Sequence, residues 1–104
     1  MGNFFPEQRW TSEGEPELGV GIVTGISKGR VTIHFPLPDE TRQYAMENAP
    51  LRRVVFKPGD TIVDKSQKPL LVGRVEEKGE LFIYIGKDRI LSEAELGDVT
   101  VTHG

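Results

Sequence analysis

The chain has 104 residues, of which 37% are hydrophobic and 28% are charged. This composition is typical of a folded, soluble chain with room for one ordinary domain or two very small ones. The absence of cysteine excludes disulfides and thiolate metal sites, and it suits a reducing compartment. No apolar run approaches the length of a membrane span, and the N-terminus carries no signal peptide pattern, so we expect no membrane contact.

The net charge of −3 is distributed unevenly along the chain. Residues 1–57 carry seven basic and seven acidic side chains, whereas residues 58–104 carry six basic and nine acidic ones. Nucleic-acid affinity comes largely from neutralising phosphates with basic side chains. This balance therefore argues against tight autonomous nucleic-acid binding and leaves, at most, weak binding through a local basic cluster.

Glycine and proline recur at short intervals, which favours short strands over long helices. In chain order the patterns predict strands over residues 8–10, 19–26, 30–35, 41–45, 51–56, 61–63, 69–75 and 81–85. Turns are predicted at 27–29 and 76–79. The glycines within 19–26 predict a bend or a bulge, because glycine often marks the point where a strand curls.

The C-terminal end has a helical rather than a strand pattern. Ser92–Glu95 has the form of a capping box, in which Ser92 caps a helical turn and Glu95 reaches back to it. We therefore predict a single helical turn there. Val99 and Val101 are predicted to add a final edge strand.

The two halves of the chain repeat one scheme. Gly-x-Val at 21–23 is followed by a polar turn ending at Gly29 and then by an alternating strand. Gly-x-Val at 73–75 is followed by a shorter turn ending at Gly79 and another alternating strand. This pattern indicates a weak internal duplication with a period of roughly half the chain.

The segment Lys-Pro-Gly-Asp at 57–60 separates two apolar runs. It could be a hairpin turn within one sheet or a seam between two small sheets, and the duplication favours the seam. Proline fixes φ and glycine permits a tight turn, so the chain can end one sheet and begin another. We predict an all-β chain with domains at 1–57 and 58–104, which pack on each other because each is too small to bury a good core alone.

Patterns for catalysis and for cofactors are absent from the sequence. It has no phosphate-binding loop and no serine with a convincing histidine and aspartate set. The two histidines, His34 and His103, are far apart, and His34 lies on the polar face of its strand. We predict no enzyme activity, no cofactor and no metal site within these residues.

Basic side chains form the first candidate partner site. Arg52 and Arg53 are adjacent, and Arg42 and Lys57 are nearby in sequence. They could form a small basic patch for nucleic acid or for an acidic protein surface, or they could be ordinary solvated strand charges.

Aromatic side chains form the second candidate. They could build a cage for methylated side chains, or they could pack in the core. Core packing is favoured for Phe35, Phe56 and Phe82. Trp10 and Tyr44 are candidates for surface anchors, since both types are frequent interface hot spots. The predicted partner-binding residues are Trp10, Arg42, Tyr44, Arg52 and Arg53.

Several stretches in order over residues 7–86 carry a family resemblance. They are Gln-Arg-Trp at 8–10, Glu-Leu-Gly-Val-Gly at 17–21, Phe-Pro at 35–36, Arg42 with Tyr44-Ala45, the block from Arg53 to Ile62, and Tyr-Ile-Gly at 84–86. Together they resemble the N-terminal domain of the RapA family, bacterial RNA polymerase-associated ATPases of the Swi/Snf type. The chain departs from the family pattern at 27–28, 36–38 and 65–71, which are loops, and loops often carry partner contacts.

The resemblance implies a fold and a context. The fold would be two small, strongly bent antiparallel sheets in tandem, similar to Tudor and KOW domains and other SH3-like barrels, with at most one short helical turn near the C-terminus. The function would be a non-catalytic interaction and regulatory module of a transcription-recycling ATPase, which docks on core RNA polymerase or restrains its own motor. The location would be the bacterial cytoplasm, at the nucleoid.

The resemblance also implies that a helicase-like ATP-dependent motor follows this domain. ATP and magnesium would belong to that motor, whose nucleotide motifs do not occur here, so we expect an N-terminal piece of a longer ATPase. The family offers no catalytic residue to assign in this domain. Two alternatives stay open: a nucleic-acid-binding module of the KOW or Tudor type, and an independent small protein with an unrelated ligand.

Overall fold

The computed structural model describes residues 4–97. The chain divides into two compact units, Met1–Val54 and Val55–Gly104. Within the described range the backbone forms ten short strands and two 3-10 turns, so the all-β prediction is confirmed. Among residues 4–97, no helix has the length and apolar character needed to cross a membrane.

The first unit contains one antiparallel sheet. Its strands are β1 (Arg9–Ser12), β2 (Gly21–Ser27), β3 (Arg30–Phe35), β4 (Glu40–Ala45) and β5 (Leu51–Arg53). Their order in the sheet is β4-β3-β2-β1-β5, so β4 and β5 are the two outer strands. A 3-10 turn, Pro16–Leu18, follows β1 in the segment between the first two predicted strands.

The β2–β3 hairpin follows directly from its turn residues. Lys28 and Gly29 form a two-residue connection with φ values of 47° and 77°. Positive φ at both positions is typical of the type I′ turn, whose twist matches that of the flanking strands. The strand register shifts between Val23 and Gly25, which confirms the predicted irregularity in this glycine-rich strand.

The core of the first unit is built by alternation along β3. Val31, Ile33 and Phe35 are fully buried, as is Val23 on the neighbouring strand. Phe4, Trp10 and Leu18 complete this cluster, and Tyr44, Met46, Ala49 and Leu51 pack against it from the side. Gly21 lies beside Phe35 and leaves room for its ring, since a Cβ there would be 2.7 Å from Phe35 Cε1.

The second unit contains two smaller antiparallel sheets. Its strands are β6 (Thr61–Val63), β7 (Pro69–Leu71), β8 (Arg74–Lys78), β9 (Leu81–Ile85) and β10 (Ile90–Ser92), and a 3-10 turn, Glu93–Glu95, follows. β6 pairs with β7, and the other sheet has the order β10-β9-β8. The buried Tyr84 accepts a hydrogen bond from the Phe56 amide at 3.3 Å, and their rings make an edge contact at 5.7 Å. Burial of Phe56 and Phe35 confirms the core role predicted for both, whereas Phe82 is only half-buried.

Two element predictions in the second half are corrected by the structure, and one strand was not predicted. The single strand over 69–75 is wrong, because Val72 donates its amide to Asp60 O while Gly73 donates to Ile85 O, which divides the run between two sheets. The turn at 76–79 is also wrong: β8 continues to Lys78, and Gly79, with φ 65°, begins a two-residue turn. The sequence further missed β10, which is only three residues long.

Two local motifs form as their residues dictate. In Lys57–Asp60 the Asp60 amide donates to Lys57 O at 2.9 Å, the Lys57 amide donates to Asp60 Oδ2 at 2.9 Å, and Gly59 has φ 100°. The capping box is confirmed, since the Ser92 amide donates to Glu95 Oε1 at 2.9 Å. Val99, Val101 and His103 lie outside the described residues.

Candidate partner-binding surface

Arg52 and Arg53 are adjacent on β5 and therefore face opposite sides of the sheet. Arg53 is paired with Trp10 across the β1–β5 ladder, and its guanidinium carbon lies 5.8 Å from the indole centroid. Arg52 is paired with Thr11, and its side chain is 73% exposed. Only Arg52 of this pair has most of its side chain available to a partner.

Trp10 is a core residue of the first unit. It is 8% exposed, its ring lies 4.6 Å from that of Phe4, and its Nε1 donates to Gln8 Oε1 at 3.0 Å. Arg53 covers one side of the indole and donates to Arg9 O at 3.2 Å. The two residues predicted as contacts thus stabilise each other, and Trp10 offers little surface for an anchor.

The segment Glu13–Glu15 brings acidic side chains to the other two arginines. Arg52 lies 3.1 Å from Glu13, and Arg42, on the opposite outer strand, lies 3.7 Å from Glu15 and 2.8 Å from Glu40. All these side chains are well exposed, so each pair contributes only about 0–1 kcal/mol to stability. These ion pairs matter more for the surface charge. Three carboxylates neutralise the charge of two arginines that could otherwise bind phosphates.

Tyr44 lies on β4 and is half-buried against the core cluster. Its hydroxyl is buried and has no hydrogen-bond partner among residues 4–97. The five predicted residues therefore all belong to the first unit, but in different roles. Arg42 and Arg52 present charge to solvent, whereas Trp10, Tyr44 and Arg53 hold the sheet together.

The β6–β7 loop overlaps the segment 65–71, where the sequence departs from the family pattern. Asp64 Oδ1 accepts from the amides of Ser66 at 2.8 Å and Lys68 at 2.9 Å, and its Oδ2 lies 2.7 Å from Arg89 Nη1. Arg89 also donates to Pro69 O at 3.0 Å, which connects the β6–β7 loop to the β9–β10 turn. No local sequence pattern indicates the Asp64–Arg89 contact, because the two residues are 25 positions apart.

These contacts hold the pKa of Asp64 below its ordinary value of 3.8. The largest cause is the hydrogen bond from the Lys68 amide, followed by the one from Arg89. Since the folded pKa is lowered, the charged carboxylate stabilises the fold above the unfolded pKa. That stabilisation is lost as the pH falls through the folded value.

The remaining titratable groups form simpler arrangements. Among residues 4–97, no cluster of three or more histidine, aspartate or glutamate side chains is placed to hold a metal ion. His34 Nδ1 lies 3.1 Å from Thr41 Oγ1, and its Nε2 lies 3.5 Å from Asp39 Oδ1. These two contacts connect His34 on β3 to Thr41 on β4 and to the turn between the two strands.

Two protein-family models match this chain, one in each unit. The RapA N-terminal Tudor-like domain 1 matches residues 4–54, and the RapA N-terminal Tudor-like domain matches residues 56–101. The chain belongs to the RapA N-terminal Tudor-like family. The resemblance seen in the sequence is thereby confirmed.

Curated relatives agree with this membership. The chain is 46% identical over 79 residues to the RNA polymerase-associated protein RapA of Cronobacter sakazakii, 41% over 86 residues to that of Pseudomonas aeruginosa and 38% over 97 residues to that of Haemophilus influenzae. These alignments cover 76%, 83% and 88% of this chain but only 8%, 9% and 10% of those RapA proteins. The chain thus corresponds to about a tenth of the length of the RapA relatives it matches.

Proposed function

We propose that this chain is a non-catalytic protein-interaction and regulatory module of a RapA-like protein. It docks on RNA polymerase, or it restrains the ATPase motor of the same protein. The observation that carries the proposal is the match of both units to RapA Tudor-like domains, together with the relatives' description as RNA polymerase-associated. ATP and magnesium would act only in that motor.

The electrostatics of the first unit favour a protein partner over nucleic acid. Tight nucleic-acid binding needs basic side chains that are free to neutralise phosphates. Arg52 and Arg42 already lie beside Glu13 and Glu15, and no net positive charge remains around them. In protein interfaces, complementary charged groups give specificity and association rate more than raw affinity.

Within this proposal, Arg42 and Arg52 contact the partner directly, since they lie on the two outer strands of the sheet. Trp10, Tyr44 and Arg53 contribute by holding those strands in place from the buried side. Arg52 is the best single probe, because its side chain is 73% exposed and its removal leaves the core untouched.

The test is co-elution of the purified chain with core RNA polymerase on a sizing column at moderate salt. We expect co-elution, and we expect it to weaken in Arg52→Ala. Arg30→Ala is the matched control, because Arg30 is an exposed strand arginine with no ion pair in the described part of the chain. Equal loss in both variants would indicate a general charge effect and would contradict the assigned contact.

A second experiment measures binding of the chain to the motor. If the chain does not co-elute with polymerase, the isolated motor of a RapA relative replaces polymerase in the same experiment. Retention by neither protein would overturn the proposed function. Binding to an oligonucleotide with a steep dependence on salt would instead support the KOW-like or Tudor-like nucleic-acid module.

A further inference from the structure

A groove of ≈ 500 Å³ opens on the second unit, between β7 and the turn that connects β9 to β10. We call it the β7 groove; it is lined by residues 69–74 and 85–89. Leu71 lies in its wall with 63% of its surface exposed. A concave surface lined mostly by apolar side chains with a few charged ones is the usual form of a binding site.

A second hollow of ≈ 410 Å³ adjoins the first. It is lined by residues 64–66, 89–91 and Glu95, and it carries Ile90, which is also 63% exposed. Arg89 lines both hollows, and its pairing with Asp64 connects the β6–β7 loop to the β9–β10 turn. Leu71 and Ile90 therefore lie in two hollows that share this ion pair.

The charge around the β7 groove differs from that of the rest of this half. The residues that line the β7 groove include three basic side chains, Arg74, Lys87 and Arg89, and one acidic side chain, Asp88. Residues 58–104 as a whole carry six basic and nine acidic side chains. Arg89 is paired with Asp64 and Arg74 with Glu76, whereas Lys87 has no ion pair within the described range. The β7 groove thus has a cationic lining in an otherwise acidic half.

We propose that the β7 groove binds an extended acidic peptide segment of a partner protein that carries at least one aliphatic side chain. The carboxylates of the segment pair with Lys87 and the arginines of the lining, and its aliphatic side chain covers Leu71. Charge complementarity of this kind steers encounter and fixes register, while the apolar contact supplies an anchor.

A protein segment fits this surface better than a nucleic acid does. Single-stranded nucleic acids bind where bases stack on aromatic side chains, and none of the residues lining either hollow is aromatic. The inference goes beyond the proposed function, because it requires only this chain and a peptide.

The test uses the 104-residue chain and a short fluorescent peptide of alternating glutamate and leucine, measured by anisotropy. The comparison peptide has serine in place of leucine. We expect saturable binding of the first peptide, weaker binding of the second, and amide shifts confined to residues 65–74 and 85–91. Equal affinity for both peptides would refute the apolar anchor, and shifts elsewhere would refute the site.

Variants locate the site without disturbing the fold, because every substituted side chain is exposed. Leu71→Ser and Lys87→Glu should each weaken binding of the glutamate–leucine peptide about tenfold, as loss of an interface anchor does. Lys78→Glu is the matched control: Lys78 is an exposed lysine on β8, outside both hollows. Equal losses in Lys87→Glu and Lys78→Glu would overturn the proposal, as would tighter binding of a labelled oligouridylate through the same residues. Arg52→Ala should bind the peptide normally, which separates this result from the polymerase test.

Discussion

Replacing Gly21 with alanine tests how closely the first sheet folds onto its core. The added Cβ would lie 2.5 Å from Ile33 Cγ2 and 2.8 Å from Phe35 Cδ1, and both of these side chains are fully buried. Overpacking of this kind costs about 1–3 kcal/mol. Replacing glycine also lowers the conformational entropy of the unfolded chain, which stabilises the folded state by about 0.4–1 kcal/mol. We therefore expect Gly21→Ala to lower the free energy of unfolding by about 1–2 kcal/mol.

Urea unfolding followed by tryptophan fluorescence measures this effect, because Trp10 is paired with Gly21 across the β1–β2 ladder. Gly25→Ala is the matched control, since Gly25 lies in the same strand and a Cβ there would meet nothing within 4 Å. For a unit of this size the Gly21→Ala change corresponds to a drop in Tm of about 4–15 °C. A Gly21→Ala protein as stable as Gly25→Ala would refute the close packing of β2 on the core.

Three further predictions concern charges and turns. Asp64→Asn should destabilise the second unit at neutral pH, and its difference from the parent should vanish once the pH falls below the lowered pKa of Asp64, as measured by urea unfolding at several pH values. Lys28→Asn should stabilise the first unit by about 0.5 kcal/mol, because asparagine tolerates the positive φ of a type I′ turn better than lysine, and thermal melting would show the increase in Tm. Glu13→Gln with Glu15→Gln should raise affinity for single-stranded DNA and steepen its salt dependence in anisotropy titrations, because Arg52 loses its carboxylate partner and Arg42 loses one of its two.

The sequence predicted the hairpins of the first half well because their information is local. Two residues decide the β2–β3 turn, and alternation along Arg30–Phe35 decides which face is buried. The same holds for the capping box at Ser92, whose partner is three residues away.

Elements whose partners are distant were predicted poorly. An apolar run over 69–75 gives no sign that the amides of Val72 and Gly73 bond to different strands, since that depends on where Asp60 and Ile85 lie. Strand β10 is too short to show any periodicity, and it forms by pairing with β9.

The candidate site shows the same limit. Side-chain type identified Arg52 as a candidate, but its partner Glu13 is 39 residues away in the sequence. The burial of Trp10 depends likewise on a residue that is distant in the sequence, since Arg53 on β5 lies over its ring.

The two charged surfaces should respond differently to a partner because their cations begin in different states. Arg52 already has a carboxylate at 3.1 Å, so an acidic partner must displace Glu13. The binding free energy gained from the exchange is therefore less than about 1 kcal/mol. Lys87 has no ion pair in the described part of the chain, and it stands beside an exposed aliphatic side chain, Leu71, that a partner would also cover. A partner that uses both units should therefore lose more affinity in Lys87→Glu than in Arg52→Ala. The opposite order would place the dominant contact on the first sheet, with Glu13 as part of the interface rather than a competitor for it.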